Sequence, residues 1–145
     1  MITASDMRGK AALVTGAGGG IGAATAIALA KAGADICIVD VKADGLAETA
    51  KSIEALGRAA LVQVVDLSQA ANCQAVVAAA VERFGRLDAL CNVAGILKLA
   101  HAHEMAEADW NAVIAVNLKG PFNCTKAVVR PMMKRRAGRI INLSS

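Results

Sequence analysis

The sequence predicts an α/β fold, a doubly wound and mostly parallel sheet with helices on its faces. Three observations carry this reading. Short β-branched runs alternate with longer stretches of helical character along the chain. A glycine-rich turn joins the first such run to the first helix. The 145 residues, 56% hydrophobic and 19% charged, suit one domain with a substantial core and not a disordered chain. Such alternation implies βαβ units with right-handed crossovers.

The elements follow in order. The first expected strand is Ala11 to Thr15, a buried run that ends at Gly16. A helix spans Ile21 to Ala32, with Gly33 as its stop signal. Strand two is Asp35 to Asp40, with Ile36, Ile38 and Val39 as its β-branched body. A second helix runs from Ala43 to Leu56 and is closed by Gly57, and strand three covers Ala59 to Val65. Ser68 stands where it can cap a third helix that reaches about Phe84, before Gly85. Strand four is Leu87 to Val93, followed by a loop with Gly95. A long helix begins near Asp109 and Trp110 and extends to about Arg135, with Gly138 after it. Pro121 inside that helix predicts a kink or local break. Arg139 to Ser144 is strand five.

Several function classes fall away. No charged residue occurs from Ala11 to Ala30, and an apolar stretch of about 20 residues can span a bilayer. Gly16, Gly18, Gly19 and Gly20 argue against a membrane helix, since each costs ~1 kcal/mol relative to alanine. No membrane partner is expected. The net charge is +4, with Lys134, Arg135, Arg136 and Arg139 clustered at a helix end. There they complement the helix dipole and read as solvated, so no nucleic-acid partner is expected. Cys37, Cys73, Cys91 and Cys124 show neither a CxxC pair nor zinc spacing. They read as small buried hydrophobes in a reducing, cytoplasmic compartment. His101 and His103 beside Glu104 lack a spaced third ligand and read as exposed loop residues, so no metal is expected. Met132 and Met133 read as packing residues.

Sheets of this kind bind ligands outside the carboxyl ends of their strands, at the topological switch point. The first strand runs into Thr15-Gly16-Ala17-Gly18-Gly19-Gly20-Ile21-Gly22. A pyrophosphate needs close backbone N–H groups and a helix N-terminus aimed at it. Gly16 allows the tight turn, Gly20 the close approach and Gly22 close helix–sheet packing. A loose surface turn is the plain alternative, but a strand before and a helix after favour phosphate binding. No Lys-Ser/Thr pair follows, which argues against a Walker-type loop. A methyltransferase loop would more usually carry an acid where Thr15 stands. Asp40 ends strand two, about 20 residues past the glycines. Its carboxylate can accept from both hydroxyls of an adenosine ribose, or serve as an acid at a helix start. It would repel a 2′-phosphate, and Lys42 stands after it and not in the glycine loop. NAD is therefore expected over NADP.

Five segments in this order give a specific resemblance. They are the glycine motif Thr15 to Gly22, Asp66-Leu67 after strand three, Asn92-Val93-Ala94-Gly95 after strand four, Asn117 within Val116-Asn117-Leu118, and Asn142-Leu143-Ser144-Ser145. The chain resembles the N-terminal part of a short-chain dehydrogenase/reductase, with Val93 where the family has a second asparagine. The resemblance implies a Rossmann-type sheet of order 3-2-1-4-5, truncated after strand five. Residues 1–145 would form one NAD-binding domain lacking the family's C-terminal part. It implies cofactor binding by Gly16, Gly18, Gly19, Gly20, Ile21, Gly22, Asp40, Val41, Asp66, Leu67, Asn92, Ala94, Gly95 and Val116. Ser145 would be the catalytic serine that hydrogen-bonds the substrate oxygen. Asn117 would hold a water in a proton relay, helped by a local helix irregularity.

Plainer readings stand beside these. Asp66 can cap the turn into helix three. Asn92 and Gly95 are ordinary turn residues. Asn117 can be a satisfied packing contact in an apolar helix.

The function implied is NAD-dependent hydride transfer between the nicotinamide and a secondary alcohol or ketone. The alternative is a non-catalytic dinucleotide-binding module. The family's tyrosine and lysine acid–base pair falls beyond Ser145, and the chain contains no tyrosine. The 145 residues alone are therefore expected to be inactive, and substrate identity lies outside them. A homo-oligomer is expected. Ile140, Ile141 and Leu143 would make strand five an apolar edge. The long helix would expose an apolar face carrying Val113, Ile114, Val128 and Val129.

Overall fold

A computed structural model describes residues 6–144. The elements are β1 (Ala11–Thr15), α1 (Gly20–Lys31), β2 (Asp35–Asp40), α2 (Ala43–Glu54), β3 (Ala60–Val64), α3 (Ala70–Phe84), β4 (Ala89–Asn92), α4 (Glu107–Ile114), a π-turn (Ala115–Lys119), α5 (Gly120–Arg135) and β5 (Arg139–Asn142). The sheet has the order β3-β2-β1-β4-β5, and every neighbouring pair is parallel. The register aligns the carboxyl ends: Thr15 lies opposite Val39, Asp40 opposite Val64 and Asn92 opposite Asn142.

Alternation along the strands divides the core in two, because successive side chains of a strand point to opposite faces. Ala12, Val14, Ile36 and Ile38 meet Ala26 and Ala30 of α1 and Leu46 and Ile53 of α2 on one face. Leu13, Cys37, Val39 and Leu90 meet Val76 and Val77 of α3 and Cys124 and Val128 of α5 on the other. Both faces are covered, so β1 is fully buried and reads as a continuous apolar run.

The structure corrects several expectations. Ser68 does not cap the third helix. The cap position is Gln69, with no side-chain cap hydrogen bond, and Ser68 N–H instead donates to Asp66 Oδ1 at 2.8 Å. The Asx turn at Asp66 therefore shapes this entry. Strands three, four and five are shorter than expected because the strand ends bend into loops. The long helix is interrupted at Ala115–Lys119, where the backbone widens to a π-turn. Pro121 follows directly and has no N–H for the carbonyl of Asn117, which fits the break expected there. Helix α5 ends at Arg135 as expected, and the left-handed exit falls on Arg136 (φ 52), two residues before Gly138. Arg135 is not simply solvated: it donates to Leu87 O and to Asp88 Oδ1 at 2.6 Å. Met133 is 70% exposed whereas Met132 is buried. Adjacent positions on a helix are rotated by roughly 100°, so only one of the pair can face the sheet.

Candidate functional site at the strand ends

The carboxyl ends of β1, β2, β3 and β4 surround two adjoining cavities. One, of about 150 Å³, is lined by Gly16, Asp40, Val41, Asp66, Leu67, Ala94, Gly95 and Val116, together with Thr15, Ile96 and others. The other, of about 450 Å³, is lined by Gly18, Gly19, Ile21 and Gly22 and shares Gly16, Asp40, Val41, Ala94 and Gly95 with the first. Larger grooves lie between α3 and α5 and beside α1, away from these ends.

The glycine loop takes its path from close contacts. Gly16 has φ +67, and a Cβ there would sit 2.8 Å from Ala94 Cα, so no side chain fits where β1 turns past the β4 loop. Gly22 lies against the Gly16 carbonyl. Gly20 has φ +51 and opens α1 on its solvent side. Gly19 is the cap residue and has no side chain, so the first turn of α1 presents N–H groups without a side-chain cap. Such a turn favours an anion.

Asp40 reaches back over this loop. Its Oδ2 accepts from Gly18 N–H at 2.9 Å and its Oδ1 from Lys42 N–H at 3.1 Å. The carboxylate is thus oriented at the rim shared by both cavities. Asp66 Oδ1 takes the turn at Ser68, as its plainer reading had it, and the residue lines the smaller cavity.

Thr15 joins β1 to the β4 loop. Its Oγ1 accepts from Val93 N–H and Ala94 N–H, each at 3.0 Å. It is buried and also lies within reach of Cys91 O, at 3.5 Å. These bonds hold the loop through backbone groups, so Val93 serves where an asparagine was expected. Sequence reasoning missed this role; the available signal was a hydroxyl at the end of an otherwise apolar strand.

Asn92 does not line either cavity. It is buried, and its Nδ2 donates to Asn142 Oδ1 at 2.8 Å across β4 and β5. Asn117 sits in the π-turn, is exposed, and pairs with Ile96 through both amide atoms. The packing contact in an apolar helix is therefore replaced by a side-chain clasp on the loop after β4. Ser145 lies outside the described residues. His101 and His103 stack at 5.9 Å between ring centroids on an exposed loop. Among the described residues no group of three His, Cys, Asp or Glu side chains could hold a metal.

Comparison with known proteins agrees with this architecture. The family model described as short chain dehydrogenase matches residues 10–145. A 3-oxoacyl-(acyl-carrier-protein) reductase from Thermotoga maritima is 41% identical over 139 residues, covering 96% of this chain and 56% of the relative. A xylitol dehydrogenase structure bound to NAD+ superposes with a TM-score of 0.93 at 35% identity, covering 97% of this chain and 55% of that one. A metagenomic short-chain oxidoreductase in complex with NADP gives 0.93 at 37% identity, covering 97% and 64%. The chain spans about half the length of the curated relatives it matches.

Proposed function

Since the chain belongs to the short-chain dehydrogenase family, we propose that its strand-end cavities bind NAD in preference to NADP. The observation that carries this is the Asp40 carboxylate, oriented by Gly18 N–H and Lys42 N–H at the cavity rim. There it accepts hydrogen bonds from the adenosine ribose hydroxyls and disfavours a 2′-phosphate, since juxtaposed like charges cost several kcal/mol. The residues fit such a cofactor: uncapped N–H groups of α1 face the pyrophosphate, and Asp66, Leu67 and Val116 line the adenine side. When bound, the nicotinamide supplies or accepts the hydride.

The reaction class is oxidation of a secondary alcohol or the reverse reduction of a ketone. Asn117, by the family resemblance, holds a proton-relay water near the loop it clasps. Ser145 hydrogen-bonds the substrate oxygen, where charge develops in the transition state. No tyrosine is present in these 145 residues. That favours a second reading for the chain by itself, a dinucleotide-binding module without turnover.

Titration with NAD and NADP, followed by assay of the same preparation with secondary alcohols, tests both readings. Tighter NAD binding with negligible turnover is expected. Tighter NADP binding overturns the cofactor assignment, and substantial turnover overturns the module reading.

The substrate is a small alcohol or ketone, and we expect neither nucleic acid nor membrane as partner. No helix among the described residues is long and apolar enough to cross a membrane. Four free, buried thiols support a reducing compartment, assigned here to the cytoplasm. Ile141 and Leu143 are exposed at the β5 end of the sheet, and Phe122 and Met133 are exposed on α5. The apolar face expected on the long helix is not free: Val128 is fully buried on the sheet, Val113, Ile114 and Val129 are half-buried, and Ile140 of β5 packs against the same core. The exposed side chains support self-association, and sedimentation at low micromolar concentration is expected to give a species larger than a monomer.

A further inference from the structure

Helix α2 lines neither strand-end cavity, yet it lies directly against the glycine loop. Thr49, buried on α2, donates from Oγ1 to Ala17 O at 2.8 Å, and its hydroxyl also lies 3.1 Å from Gly45 O. The Ala17 carbonyl and the Gly18 N–H belong to one peptide unit. Its carbonyl end is held by Thr49 and its N–H end by Asp40 Oδ2. The preceding peptide is held as well, through Ala17 N–H donating to Val39 O at 3.0 Å. Gly45, one helical turn before Thr49, completes the contact, because any Cβ there would overlap the Gly18 carbonyl.

We infer that Thr49 is a positioning residue for dinucleotide binding, fixing the plane of the Ala17–Gly18 peptide so that the following N–H groups face the pyrophosphate. The inference rests on the dinucleotide reading above. Its physical basis is the burial of Ala17. A buried carbonyl that loses its donor must find another or rotate. Rotation of this peptide swings Gly18 N–H off Asp40 and re-aims the start of α1. The adenosine side is less affected, because Asp40 keeps Lys42 N–H and the adenine side is lined by Asp66, Leu67 and Val116.

Titration of the 145-residue protein and its Thr49→Val, Thr49→Ser and Gly45→Ala variants with ADP-ribose and with adenosine tests this. Thr49→Val keeps the side-chain shape and removes the donor. It is expected to weaken ADP-ribose roughly tenfold, the size of one lost hydrogen bond, while adenosine affinity is largely kept. Thr49→Ser restores the donor and is expected to return ADP-ribose affinity towards that of the parent. Gly45→Ala presses on the next peptide, Gly18–Gly19, with the hydroxyl intact and is expected to weaken ADP-ribose more than adenosine. Thr49→Ala, which removes the donor with a smaller side chain, decides the matter if Thr49→Val does not fold. Unchanged ADP-ribose affinity in the folded variants, or parallel loss of both ligands without rescue by serine, overturns the inference while leaving the dinucleotide reading intact. A parent protein that binds neither ligand overturns the dinucleotide reading and this inference together.

Discussion

Asn117 and Ile96 form a closed pair: Asn117 Oδ1 accepts from Ile96 N–H at 2.8 Å, and its Nδ2 donates to Ile96 O at 2.9 Å. One side-chain amide thus occupies both backbone groups of a loop residue, as a neighbouring strand would. The π-turn that carries Asn117 is thereby tied to the loop after β4. Asn117→Ala is expected to lower unfolding free energy by about 1 kcal/mol, the usual net worth of such bonds. It is also expected to speed hydrogen exchange at Ile96 far more than in the strands. Equal protection of Ile96 in parent and variant would show that the loop is held by other contacts.

Asp40→Ala is expected to weaken NAD by about 1.5–3 kcal/mol, the range for hydrogen bonds to a charged group. NADP should lose less, because the repulsion disappears with the bond. Calorimetric titration of both cofactors checks this, and an equal loss for the two would remove Asp40 from cofactor discrimination.

Asp88 sets an acid limb of stability. Burial by itself would raise its pKa, but hydrogen bonds from Arg86, Ala11 N–H and Arg135 outweigh burial and hold the carboxyl well below its ordinary value. A depressed folded-state pKa contributes stability that is present above the unfolded value, about 3.9, and is lost as pH falls through the folded value. Asp88→Asn is expected to destabilise the protein at neutral pH and to flatten the loss below about pH 4. Chemical denaturation at several pH values reads both effects, and an unaltered acid limb would assign it to other carboxylates.

The thiols are expected to resist modification in the folded state. Burial pushes Cys37 up to about 12 and raises Cys91 as well. Cys124 is raised first by its hydrogen bond to Cys73, at 3.4 Å between sulfurs, and then by burial. Since the thiolate is the reactive form, Ellman's reagent at pH 8 should label Cys37, Cys91 and Cys124 only as fast as the protein opens, whereas Cys73, held below its ordinary value by the hydrogen bond it accepts from Cys124, is protected by its burial alone. Rapid titration of one equivalent in the native protein would identify a thiol that opens locally.

The sequence by itself determined the order of the elements, the glycine turn after β1 and the place of Asp40 at the end of β2. These are local properties: β-branched runs, stop glycines and the spacing of an acid after a turn are legible wherever the backbone must follow them. With the family pattern added, the sheet order was legible too. The tertiary structure alone decided which polar groups meet. Thr15 reaches Val93 and Ala94, Thr49 reaches Ala17, Asn92 reaches Asn142, and Arg135 reaches Asp88. No local signal distinguishes a threonine that holds the glycine loop from one that returns its proton to its own helix, as Thr25 does. Ser68 shows the same limit at short range. It has the residue type of a helix cap, yet Asp66 two residues earlier captures its N–H and the cap falls to Gln69. Buried polar groups are, with few exceptions such as Asn92 Oδ1, satisfied wherever the packed chain leaves them, so their partners are chosen by the assembled sheet and helices and not by neighbours in sequence.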